Sequence, residues 1–466
     1  MNSETLSKLE AIVGGKNVFT DSKVLETFSK DQFAFSPVLL ELLRDKRAEV
    51  MVAPGSSSEL CAVISLASKD GVALTIRGAG SGNYGQAVPL HGGIVASLHR
   101  MNRILEIDPV ARTARVEAGV RMGQLERAAR EVGCELRMYP STWATATLGG
   151  FVGGGFGGVG SIQYGTLWDG LILEAEVVPM SEHPEAVRLT GWDCMPVIHA
   201  YGTTAIMTEL TVALAPATAW EECVFSFPRL EQAIQFAHEI AADAGLMKRE
   251  VGIHEWPIPS YFAPLLKAGG VRDGRHVVML ELESGVTQTL EALAATFEGT
   301  LDWFNPSERY HSGSFALSDF SWNHTTLWAM KTDPGITYTQ ARFEAGKLLE
   351  QTRQIKAKFG DEVLMHLEFI REQLAQGGTL VAGSLPLVRF TTPERLFEIQ
   401  AFFEEIGAPI ADPHTYYLDG DSRWSGDVVL EGIKRFNPKG LLNPGKLRVL
   451  ETGEAGAVAS SWFGSR

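Results

Sequence analysis

The chain has 466 residues, 45% of them hydrophobic, and a formal net charge of -15. That length and apolar content predict two or three domains around sizeable cores. The acidity argues against nucleic acid and anionic membrane surfaces as partners, since both select Lys/Arg-rich faces. No apolar run of about twenty residues exists, and the polar N-terminus lacks a basic-then-apolar signal pattern. The four cysteines, Cys61, Cys134, Cys194 and Cys223, are too far apart for a metal knuckle or redox pair. Together these features lead to the expectation of a cytoplasmic protein with reduced thiols.

Taken in order, the chain opens with short amphipathic helices over residues 4–12 and 36–45. A strand at 49–52 stops at Pro54-Gly55, and Ser57 or Ser58 caps a helix carrying Leu60, Val63, Ile64 and Ala67 at helical spacing. The next strand, 72–76, runs straight into Arg77-Gly78-Ala79-Gly80-Ser81-Gly82. Gly80 to Gly85 formally matches the dinucleotide fingerprint G-x-G-x-x-G, but Pro89 and Gly92-Gly93 follow where that motif needs a helix. The segment therefore reads as a glycine loop between strands, able to present a nest of N–H groups to an anion. Strands follow at 94–98, 104–107 and 112–118, then a helix at 122–132.

Residues 140–165 are the most unusual stretch. Eight glycines fall within the twelve residues 149–160, interleaved with Phe151, Val152, Phe156 and Val159. A flexible linker would pair glycine with polar residues. Apolar interleaving between close-set strands instead predicts a buried loop that lets a cofactor approach the backbone. Strands at 171–178 and 206–214 leave it.

These motifs, in this order, resemble the FAD-binding domain of the vanillyl-alcohol oxidase and p-cresol methylhydroxylase superfamily, especially glycolate oxidase flavin subunits and D-lactate dehydrogenases. The resemblance rests on Val52-Ala53-Pro54 with Ser58-Glu59-Leu60, the loop 77–82, residues 101–107 with 116–120, the stretch Pro140 to Gly165, and the C-terminal Asn437-Pro438-Lys439-Gly440-Leu441-Leu442-Asn443-Pro444-Gly445-Lys446-Leu447. It implies an α+β fold with a PCMH-type FAD-binding domain of two α/β subdomains over residues 1–216 and an antiparallel-sheet substrate cap over 217–430. The segment 431–466 would return to the FAD domain. It further implies that Arg77, Gly78, Ala79, Gly80, Ser81 and Gly82 meet the diphosphate. Pro140, Ser141, Thr142, Thr147, Gly149, Gly150, Gly153, Gly154 and Tyr164 would line the ribityl chain and flavin, with Ile206 and Asn443 beside them. Relatives with covalent flavin carry histidine where this chain has Ser81, or cysteine where it has Ser141-Thr142-Trp143, so FAD is expected to be non-covalent.

In the cap, the region 303–328 is dense in aromatic residues and holds His311 and His324. Core packing and an aromatic pocket over the flavin both fit it. Residues 363–370 alternate, with Val363, Met365, Leu367 and Phe369 on one face and His366 and Glu368 on the other. That second face suits either a cleft lining or partial solvation. Hydride transfer to a flavin needs a base for the hydroxyl proton, and His324, His366 and His414 are the candidates, with Glu368 as an orienting carboxylate. Tyr417 or Arg389 are candidates to bind an anionic or phenolic group. The metal motif G-H-x-G-D-G-N of the resembling acid dehydrogenases is missing, so no metal is assigned. The expected reaction is oxidation of a small alcohol or 2-hydroxy acid, with oxygen, a quinone or an electron-transfer protein as acceptor. Alternatives are an aromatic alcohol as substrate, or a flavin-binding subunit without turnover. A homodimer is compatible with all of these readings.

Overall fold

The computed structural model describes residues 1–310, 312, 315–420 and 426–453. His311 and residues 454–466 lie outside them. Two sheets build the N-terminal half. β1 (Val18–Phe19), β2 (Val50–Val52), β3 (Leu74–Arg77) and β4 (Ile94–Ser97) form a sheet in the order β1-β2-β4-β3, parallel except for β1. The helix Ser57–Asp70 links β2 to β3. Its cap is Ser56, one residue before the expected Ser57 or Ser58. The Ser56 hydroxyl accepts from Glu59 N, and the Glu59 carboxylate reaches back to Gly55 N.

The second sheet is antiparallel. β5 (Ile104–Asp108), β6 (Thr113–Glu117), β8 (Ile172–Val178), β9 (Val187–Thr190) and β10 (Ile206–Pro216) pair in the order β5-β6-β10-β8-β9, and β7 (Cys134–Leu136) joins the end of β10. One hydrophobic core spans both sheets and includes Phe436 and Leu442 from the C-terminal return. That return docks by backbone pairing, Leu74 N to Leu441 O and Asn443 N to Leu74 O.

The glycine stretch departs from the expected loop. Leu148–Gly154 is a helix, capped by the Thr147 hydroxyl, which accepts from Gly150 N. Glycine is a poor helix former, so the helix is held by its surroundings. Leu148, Phe151 and Val152 bury one face in the shared core, while the glycines let neighbouring backbone come close.

Ten more strands follow among the described residues: β11 (Trp220–Phe227), β12 (Lys248–His254), β13 (His276–Glu283), β14 (Thr300–Asn305), β15 (Ile336–Tyr338), β16 (Ala341–Glu344), β17 (Val363–Leu364), β18 (His366–Glu372), β19 (Thr379–Ser384) and β20 (Leu387–Arg389). Seven form one antiparallel sheet, β14-β11-β13-β12-β18-β19-β16. One face packs Phe225, Val251, Leu280 and Leu367 into a core that contains Phe236, Ile355 and Phe403 from three covering helices. The segment expected as one strand at 363–370 breaks at Met365, whose N–H goes to Glu255 Oε2 (2.6 Å) instead of the ladder. β17 then joins the small sheet β15-β20-β17, and β18 joins the large one.

The alternation across this break is as expected, but the second face is buried rather than solvated: His366 and Glu368 are 0% and 1% exposed. It carries a row of carboxyl side chains, Glu222 opposite Glu281 and Glu250 opposite Glu281, that continues to Glu368. Residues 305–310 and 315–332 cover that row through Asn305 and Leu317 to Glu222, Tyr310 to Glu281, and Trp322 to Glu368. The two halves are clamped by Arg249, also fully buried. It donates to Leu136 O (2.8 Å), stacks over Tyr139 (4.6 Å) and pairs with Glu126 and Glu135 at 3.7 Å each.

Candidate functional site

A cleft runs between the N-terminal half and the cap. Its floor is backbone. Gly78, Ala79, Gly80, Ser81 and Gly82 follow β3 on one side. Pro140, Ser141, Thr142 and Thr147 face them, with Gly149, Gly150, Gly153 and Gly154 of the short helix, and Ile206 opens β10 beside them. The two loops touch: a Cβ at Gly78 would stand 2.2 Å from Thr147 Oγ1, so glycine is required there. Thr142 Oγ1 lies 3.5 Å from Ser81 Oγ. The floor thus offers N–H groups and hydroxyls with little side-chain bulk, a cradle that suits an extended phosphate-bearing cofactor.

Other residues that the sequence pointed to take different places. Arg77 is buried under the floor, donates to Lys30 O (2.7 Å) and sits over Phe28, so it props the N-terminal strap rather than lining the cleft. Burial lowers its pKa, with Asp31 opposing. Tyr164 lies under Arg137, away from the cleft wall. Asn443 is one layer behind it, donating to Gln86 O and Tyr201 O. His414 is enclosed between Ser36 Oγ and Tyr338 O, both at 2.7 Å. Tyr417 rests against Tyr416 and Arg448. Arg389 is half-exposed and pairs with Asp333 (3.2 Å). None of these three lines the cleft.

The roof comes from the cap and from a strap that sequence reasoning missed. Asp31, Phe33 and Phe35 line the cleft from the N-terminal segment, with Gln32 N bonded to Gly80 O. Their signal was the run Asp31-Gln32-Phe33-Ala34-Phe35 before Pro37, which lacks helical periodicity. Trp322, Asn323 and His324, at the start of the helix Asn323–Thr332, close the roof with Gln340 and Leu385. Phe33 meets the His324 ring edge-on at 6.2 Å. Burial, and then the charge of Lys331, push the His324 pKa down to about 4. At neutral pH this imidazole is uncharged, with a free lone pair and a basicity below that of an ordinary histidine.

Of the other candidate bases, His366 is bonded to Glu368 (Nε2 to Oε1, 2.8 Å) one layer behind Trp322. Burial pushes His366 down to about 3 and Glu368 up to about 8. A third residue, His254, stacks on His366, and one donor atom from each of the three lies within 4.8 Å of the others. His254 carried no sequence signal beyond the alternation of β12.

Residues 48–181 match the sequence profile of the family described as "FAD binding domain". The chain has an FAD-binding domain. An uncharacterized FAD-linked oxidoreductase of Mycobacterium tuberculosis is 30% identical over 220 residues, 46% of each chain. A D-lactate dehydrogenase of Archaeoglobus fulgidus is 31% identical over 231 residues, 47% of this chain and 51% of the relative. The aligned region thus spans about half the length of these curated relatives. Among solved structures, an alkyldihydroxyacetonephosphate synthase superposes with a TM-score of 0.72 at 16% identity, covering 96% of this chain and 86% of that one. p-Cresol methylhydroxylase superposes with a TM-score of 0.68 at 16% identity, covering 95% and 96%. The fold is the PCMH type, and the cofactor is FAD.

Proposed function

We propose that this protein is an FAD-linked oxidoreductase that removes a hydride from the CH–OH carbon of a small alcohol or 2-hydroxy acid, with His324 taking the hydroxyl proton. The observation that carries this reading is the His324 imidazole on the roof of a cleft whose floor is a glycine-loop cradle suited to FAD. Bound flavin supplies the hydride acceptor. The loops 78–82 and 140–150 hold the cofactor by backbone N–H groups and hydroxyls. Neither loop offers a histidine or cysteine, and the four cysteines lie elsewhere, so the attachment is non-covalent. Phe33, Phe35 and Trp322 keep water from the roof, which favours proton transfer to His324 over loss to solvent.

Two features bear on the substrate. The aromatic walls suit an apolar or aromatic body. The likeness to a D-lactate dehydrogenase supports an acid group. The acceptor is oxygen, a quinone or an electron-transfer protein. The test is anaerobic mixing of the holoprotein with glycolate, D-lactate, benzyl alcohol and 4-hydroxybenzyl alcohol, followed by admission of air. Bleaching by one class supports the reading and names the substrate, and recovery in air names oxygen. A bound flavin that dithionite bleaches but no member of the panel reduces counts against it, and favours a subunit without turnover.

A further inference from the structure

Beneath the roof, β12 and β18 run side by side with His254 opposite His366 and Gly252 opposite Glu368. The two imidazoles stack at 4.6 Å and 19°. A Cβ at Gly252 would meet Glu368 Oε2 at 2.7 Å, so this glycine makes the space into which the carboxyl turns. The start of the roof helix closes the other side. Thr325 Oγ1 lies 3.3 Å from Nε2 of both histidines, and Trp322 N donates to Glu368 Oε1 at 3.1 Å. Trp322 has φ +52 and ψ -138. Bulky side chains avoid such backbone, which persists only where its surroundings hold it in place.

We infer that His254, His366 and Glu368 are a metal-free hydrogen-bonded frame that positions Trp322, Asn323 and His324 on the roof of the flavin cleft. Two histidines and a glutamate are a familiar ligand set for zinc and iron, but their arrangement here does not fit a catalytic ion. Thr325 spends its hydrogen on Phe320 O (2.5 Å), so its oxygen only accepts. The Nε2 atoms that meet it therefore carry hydrogen and turn no lone pair to the centre. A catalytic ion also keeps an open position toward substrate, whereas all three side chains are buried and none lines the cleft. With its carboxyl pushed up to about 8, Glu368 is largely protonated at neutral pH. Glutamine can then take over its contact with Trp322 N.

The frame is a positioning device, and its role at the roof rests on FAD occupying the cleft. Glu368→Ala, Glu368→Gln and Thr325→Val holoproteins test it by elemental analysis, visible circular dichroism of the bound flavin and anaerobic reduction by any panel member that bleaches the wild type. The expected result is no stoichiometric divalent ion in the wild type. Glu368→Ala changes the flavin dichroism and slows reduction at least about tenfold, as a small displacement of reacting groups does. Glu368→Gln recovers both, and Thr325→Val moves the dichroism as Glu368→Ala does, which keeps the test open if the alanine variant fails to fold. One ion per chain, lost in both Glu368 variants, would overturn the inference. So would wild-type dichroism in Glu368→Ala or Thr325→Val. A wild-type protein that takes up no FAD would overturn this inference together with the cofactor assignment, whereas a flavin that binds but is never reduced by substrate leaves the dichroism test intact.

Discussion

The floor and the roof of the cleft are built by opposite means. The floor is made of contiguous glycine-rich loops that show bare backbone to the cofactor, and its spacing is set within the loops themselves. The roof is assembled from the strap around Phe33 and the start of the helix at Asn323, with a buried His-Glu pair one layer behind Trp322. The glycine density of the first is local, although its short helix Leu148–Gly154 is held by the shared core. The second exists only once the large antiparallel sheet has formed. Changes to the floor should therefore remove the cofactor outright, and changes to the roof should leave the cofactor bound while altering rate or pH response.

The largest effect is expected at Gly78. A valine there would drive its side chain into Thr147 Oγ1, and the purified protein should be colourless and take up no added FAD. A yellow Gly78→Val protein would break the picture of a floor that needs bare backbone. On the roof, His324→Ala should keep its FAD yet slow anaerobic flavin reduction by about 10²- to 10⁴-fold, the usual range for a lost general base. A rate within a few-fold of wild type would remove His324 from the reaction.

Between floor and roof, Arg249→Met leaves Glu126 and Glu135 without their fully buried partner. Because Arg130 still pairs with both carboxylates at 2.8 and 2.5 Å, the cost should stay below the about 3–5 kcal/mol of stranding a buried charge, readable as a modestly lower urea midpoint. A smaller effect is expected from pH. Burial raises the folded pKa of Glu368 from 4.5 to about 8. A raised carboxyl contributes stability that is fully present below its unfolded value and is lost as pH rises through the folded one. The histidines work in the other direction: their lowered values remove stability only as pH falls below 6.5. Between about pH 6.5 and 8.5 the melting temperature of the wild type should therefore lose ground, as pH rises, relative to that of Glu368→Gln. Equal slopes would mean that Glu368 is ionised in the fold. The smallest effect belongs to Arg389, whose half-exposed pair with Asp333 should make Arg389→Ala neutral to within about 0.5 kcal/mol.

How much of this was legible follows from the same contrast. Gly78 to Gly82 and Gly149 to Gly154 could be read because glycine density is itself the signal. Even so, the helix at Leu148–Gly154 was hidden, since its stability comes from Phe151 and Val152 in a core shared with distant strands. Alternation put His366 and Glu368 on one face of β18, but did not show that residues 315–332 help to bury that face. His254 and the Phe33 strap meet the site only through tertiary contacts with no period in the sequence. Arg389 and His414 were drawn in by residue type alone, and their partners, Asp333 in one case and Ser36 with Tyr338 in the other, place them elsewhere.

The most direct measurement of the central claim is anaerobic titration of the purified yellow protein with the alcohol and hydroxy-acid panel, after acid precipitation has been used to locate the flavin. The account predicts that the flavin leaves with the supernatant, and that one member of the panel bleaches the visible flavin band of the native protein to completion. Flavin retained in the acid pellet, or a band that dithionite reduces and no member of the panel touches, would contradict it.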